Sequence, residues 1–204
     1  MSVTVDRRPL ETEELGLQTV GQVLAHLQQE DRLVVSVLVD GQEPDTDRLT
    51  VLRQSPLNGH TIYIETADPR EMALEVLDQV TEHLAQTDRL RTEACDLLAD
   101  ANHTKALEKL SGCFTTWQHA QDSITKTAQL LRIDLDRIES ADGATLMDFL
   151  VVFTEQLRQI RTALENRDFV LLRDVLSYEM PQTSSRWSEA IATLRHAICE
   201  MHSR

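Results

Sequence analysis

The chain has 204 residues, of which 41% are hydrophobic and 26% charged, the balance of one or two folded domains and not of a disordered chain. Lys and Arg number 20 against 34 Asp and Glu, a formal charge of -14, and a field of that sign repels nucleic acid and anionic membrane surfaces. Cys95, Cys113 and Cys199 lie far apart, the opening MSVTVDRRPLE holds no apolar leader, and no apolar run approaches the roughly 18 residues of a membrane span; free thiols and a cytoplasmic setting are expected.

Residues 1–67 read as a small α/β N-terminal domain. Ser2 to Val5 is a short strand. From Thr19 to Gln29 a helix is predicted, with Val20, Val23, Leu24 and Leu27 on one face, Thr19 as its cap and Gln22 three residues on. Leu33 to Val39, LVVSVLV, is apolar on both faces, the pattern of a central strand covered on each side. Asp40-Gly41 and Asn58-Gly59 are turn pairs, Asp47 to Arg53 a short helix, and Thr61 to Thr66 alternates as a strand. The expected order is a β-α-β-β layer of three strands. Val3-Thr4-Val5-Asp6 and Val37-Leu38-Val39-Asp40, each followed by a proline, are too short an echo to establish a repeat.

Residues 68–204 read as helix throughout. Asp68 as N-cap, Pro69 at the first position and Glu71 at the third mark a strong start. Apolar stripes predict helices over 69–101, 105–131, 144–166 and 168–199, with a polar connector at 133–143. The fold class is therefore mainly α (α+β), a C-terminal antiparallel four-helix bundle beside the small sheet layer. In the last helix the stripe Phe169, Leu172, Leu176, Thr183, Trp187, Ile191, Leu194, Ile198 keeps its phase across Pro181, so one kinked helix is expected.

The six glycines form no phosphate-cradling loop, and there is neither a G-x-S-x-G elbow nor an H-E-x-x-H. No histidine follows a glutamate at the three-residue spacing of di-iron bundles. His83 with His119, and Cys199 with His202, are sparse metal candidates against an ordinary surface role. No catalytic residue, cofactor or metal is assigned. Glu179 falls near the apolar face beside Pro181, as a buried carboxylate or a flank residue paired with Arg158 or Arg161. Trp117 and Trp187 are core residues or anchors in an exposed groove. Trp187, Trp117, Pro181 and Glu179 are thus the candidate partner-binding residues.

In size, acidity and helicity the helical half resembles the flagellar and type III export chaperones; no motif carries that resemblance, and it does not extend to residues 1–67. The expected function is a non-enzymatic protein-interaction module, an adaptor, chaperone or assembly factor. Its partner is a protein or a second copy, not nucleic acid or membrane. The alternative is a small-molecule-binding regulator or enzyme with its site between the sheet and the bundle. A broad apolar groove favours the first, and a deep cleft with converging polar groups the second.

Overall fold

The computed structural model describes residues 2–140 and 143–201, and it is mainly helical with a small N-terminal sheet. The chain divides into two compact units, Met1–Met72 and Ala73–Arg204.

In the first unit the elements are β1 (Ser2–Val5), β2 (Arg8–Pro9), α1 (Val20–Gln29), β3 (Leu33–Val39), α2 (Thr46–Gln54) and β4 (Thr61–Ala67). The sheet has four strands in the order β2-β1-β4-β3, with β1 parallel to β4 and the other pairs antiparallel. Alternation along the strands buries Val3, Val5, Val37, Val39, Ile62 and Ile64 in one core with Val20, Val23 and Leu27 of α1. The Thr19–Gln22 capping box starts α1.

Two expectations are corrected here. The sheet gains β2, a two-residue strand below the reach of any periodicity argument. β3 is an edge strand, and β4 lies inside. Apolar residues on both sides of β3 reflect a second face that is half-buried and not covered, and Val35 is 47% exposed. The edge is blunted instead: the register slips between Val34 and Ser36, and Val39 exchanges backbone hydrogen bonds with Gln42 at 2.9 and 3.1 Å.

The β1–β2 turn places Asp6 and Arg7 at positive φ, 47° and 66°, the backbone of a two-residue hairpin that normally recruits Asn or Gly. Asp6 is held there by its carboxylate. It accepts the amide and the hydroxyl of Thr66, both at 2.8 Å, and pairs with Arg32. Partial burial raises the Asp6 carboxyl, but the Thr66 hydrogen bonds and the Arg32 and Arg8 guanidiniums outweigh it, so the group titrates below the ordinary aspartate value.

The second unit contains α4 (His103–Leu131), a 3-10 turn (Leu135–Arg137), α5 (Leu146–Glu165), α6 (Phe169–Asp174), a π turn (Val175–Glu179) and α7 (Met180–Glu200); α3 (Pro69–Ala99) leads into it. One apolar core includes Leu77 and Ala94 of α3, Leu110 and Ile124 of α4, Phe153 and Ile160 of α5, and Leu194 of α7. Cross-links set the directions. Lys109 pairs with Glu93 and the Cys113 thiol donates to the Thr87 carbonyl at 3.7 Å, so numbers rise along α4 as they fall along α3. Likewise Ser184 reaches Asp88, and Arg195 reaches Asp78, between α7 and α3. Gln121 donates to Thr154 at 2.9 Å between α4 and α5, and Thr183 donates to Gln156 at 2.6 Å between α7 and α5.

Helix ends follow local chemistry. Asp68, Thr145 and Asp168 accept N-terminal amides of α3, α5 and α6. Past α1, α3, α4 and α5 the chain turns through Asp31, Ala101, Arg132 and Arg167 at φ of 55° to 56°, each followed by an amide that donates five residues back. These are Schellman closures built without glycine. The α3–α4 closure is tight enough that α4 begins at His103 and not at Lys105, and His103 stacks on Phe169 at 4.0 Å.

Gly21 is fixed by contact. A Cβ there would sit 2.7 Å from the backbone carbonyl oxygen of Arg53, at the end of α2, and a backbone atom cannot swing aside. Gly21→Ala is expected to destabilise the first unit by about 1–3 kcal/mol, the usual cost of overpacking, despite the better helix propensity of alanine. Urea unfolding of the full chain checks this; an unchanged or raised midpoint contradicts it.

Candidate functional site

Leu172 and Trp187 are both buried and stand fifteen residues apart. Four turns of α-helix take up about 14.4 residues, so in a regular helix the stripe holds only loosely and the two side chains stand about 60° apart. The wider turn at Val175–Glu179 absorbs the surplus, and the Met180 amide there donates five residues back, to the Val175 carbonyl. The next donor in that series is residue 181, which is proline and has no N–H. Its acceptor, the Leu176 carbonyl, is taken by Arg91 of α3, whose Nη1 donates to it at 2.6 Å. The expected kink in the last helix is therefore a π turn whose missing backbone bond is supplied from another helix.

Arg91 is only 8% exposed. Its Nε donates to Asp88 at 3.0 Å, and the Ser184 hydroxyl donates to the same carboxylate oxygen at 2.7 Å. Cys113 lies close by. Burial pushes its thiol up to about 11; the Arg91 guanidinium opposes this without overcoming it, and Asp88 and Cys95 add smaller raising effects. This polar centre holds a charge pair with a neutral thiol nearby, whose raised titration is the opposite of an activated nucleophile.

The sequence candidates lie elsewhere than an exposed groove. Trp187 is 2% exposed, edge to face with Phe149 and Phe153 at 4.9 and 5.0 Å, and its indole N–H has no hydrogen-bond partner among the described residues. Trp117 is 3% exposed and perpendicular to Phe114 at 5.6 Å. Both lie in stripes that face inward, so neither offers a partner a surface. Pro181 is half-buried in the first turn of α7. Glu179 is exposed, a flank residue and not a buried carboxylate; Arg158 and Arg161 pair with Glu155 and Glu165 and not with it. His83 and His119 are exposed, as is Cys199, while His202 lies outside the described residues. No group of three or more His, Cys, Asp or Glu arranged to hold a metal occurs among the described residues. No helix among them is long and apolar enough to cross a membrane.

Arg91 is the residue that periodicity passes over. It continues the 4-3 spacing of Ala73, Leu77, Val80 and Leu84 through Thr87 to Ala94 and Leu98, a core position with a guanidinium in it. A charge on the apolar stripe was the available signal.

A groove of about 670 Å³ lies between α3 and α4. Leu90, Leu97 and Gly112 line its floor, and Glu93, Asp96, Lys105, Glu108 and Lys109 its rim. A second hollow, of about 240 Å³, opens at the start of α5 beside Thr145, Asp148 and Phe149. The Thr145 and Asp148 side chains there are engaged in the α5 capping box.

The three thiols differ in environment, and alkylation reads this out. At pH 8 iodoacetamide is expected to modify exposed Cys199 readily and Cys113 at least about tenfold more slowly, since only the thiolate reacts and the Cys113 thiol stays protonated there. Peptide mass spectrometry over time checks the order; equal rates contradict the buried thiol.

No curated protein and no solved structure matches the chain. Residues 75–190 match the family model described as "Domain of unknown function (DUF8042)", a span from the start of the helical unit into α7 and more than half of the chain. The chain belongs to that family.

Proposed function

We propose that the protein is a non-enzymatic, cytoplasmic interaction module. In this reading α3, α4, α5 and the α6–α7 segment act as an antiparallel four-helix bundle, and the α3–α4 groove receives an apolar helix of a protein partner. The observation that carries it is Gly112. Mid-helix glycine costs about 0.5–1 kcal/mol relative to alanine. Packing of α3 on α4 does not ask for it: a Cβ at 112 meets only the Leu90 Cδ1, at an ordinary 4.0 Å. A glycine without an internal reason, on the floor of a broad apolar groove with charges along both rims, suits close approach of another backbone. The breadth of that groove supports a macromolecular occupant over a small molecule.

Gly112→Ala is expected to raise the unfolding free energy by about 0.5–1 kcal/mol, while Gly112→Gln fills the groove with little change in fold. A photo-crosslinking residue at Glu108, introduced in the native host, should give a discrete protein adduct that Gly112→Gln removes. The same probe at Val151, on α5 and 62% exposed, serves as the control. Adducts unaffected by Gly112→Gln, or a stability loss in Gly112→Ala, contradict the reading.

A further inference from the structure

The geometry points to a conformational latch: Arg91 stands in for the amide that Pro181 lacks, and α6 with the π turn forms an arm, Phe169–Glu179, that this one contact holds in register. Three observations meet here. The π series of backbone bonds runs through Met180 to Val175 and stops at Pro181. The carbonyl next in that series, Leu176, is bonded by the Arg91 guanidinium at 2.6 Å and buried. Arg91 is in turn oriented by Asp88, and Asp88 is also bonded by Ser184, one turn beyond Pro181. The network therefore grips the last helix on both sides of the proline.

The arm itself is apolar on two sides. Leu172, Val175 and Leu176 are buried, while Val170 is 73% exposed, Leu171 44% and Tyr178 69%. The π turn aligns the inner side with the face that Trp187 occupies, whereas a plain α register turns Leu172 about 60° from it. Without Arg91 the Leu176 carbonyl is buried without its donor, and the arm opens as a local unit. In the native chain Asp88 keeps the Arg91 guanidinium oriented while the arm is open, ready to donate to the Leu176 carbonyl again, so opening is reversible.

The test is native-state hydrogen exchange on the full chain with Arg91→Met, Pro181→Ala and the double variant. A hydrogen bond from a charged donor to a buried carbonyl is worth roughly ten- to a hundredfold in the opening equilibrium. Arg91→Met is expected to speed exchange of the Leu172–Met180 amides by about that factor, with α4 and α5 amides little changed. In the Pro181→Ala background, where residue 181 regains its N–H, the same substitution should change those rates by less than about threefold. An equal effect of Arg91→Met in both backgrounds, or faster exchange spread evenly over α3 to α7, overturns the latch. Should Arg91→Met fail to fold, Arg91→Lys in the two backgrounds is read by the same criterion: protection regained with Pro181→Ala supports it, and equal loss in both overturns it.

Discussion

The irregular turn of the last helix is met by one buried contact, the hydrogen bond from Arg91 to the Leu176 carbonyl. A guanidinium in an apolar core is costly to desolvate and persists only where its donors are used. Here the use is specific. Proline removes a backbone donor, the stripe asks for more residues per turn than α-helix gives, and the π turn answers the second problem while exposing the first. Arg91 closes the account by donating from a neighbouring helix. Replacing the group with a hydrocarbon of equal volume removes the desolvation cost but leaves the buried Leu176 carbonyl without its donor, which is why a buried charge is tolerated at this position.

The first unit solves a similar problem at its surface. Asp6 and Arg7 take a left-handed hairpin backbone without glycine, at a conformational cost of order 1 kcal/mol for each residue. The Asp6 carboxylate recovers it by joining the hairpin to the end of β4 through Thr66 and to the approach of β3 through Arg32. In both units a backbone irregularity coincides with a side chain whose charge completes the missing hydrogen bonds.

Legibility in the sequence followed the range of the interactions. The caps at Thr19 and Asp68, the start of each long helix within two residues, and the inward stripes rest on contacts within a few positions, and those were readable. The place of β3 in the sheet was not, because strand order depends on which neighbour takes the inner edge and composition is silent about that. The π turn was half-legible: Pro181 flagged an irregularity, but its resolution lies in Arg91, ninety residues earlier, and no local pattern links them. Trp117 and Trp187 were equally at home in a core or a groove until their neighbours, Phe114 in one case and Phe149 with Phe153 in the other, were known.

Glycine shows how a single residue type takes opposite meanings. Gly21 is required by its own fold, since the Arg53 carbonyl occupies the space of a side chain, whereas Gly112 faces a space that its fold leaves open. The contrast sharpens when α3 is viewed along its axis. Between residues 88 and 97 its inner side carries Asp88, Arg91 and Ala94 toward the core, and its outer side carries Leu90, Glu93 and Leu97 to the groove that Gly112 floors. The same three turns therefore hold the π turn in register and form one wall of the groove. A helix with both duties cannot tilt or rotate freely to accommodate an occupant without disturbing the Arg91 contact. On the proposed interaction reading, rigidity on the inner side thus favours an occupant that fits the groove as it stands, one with small residues where it crosses Gly112.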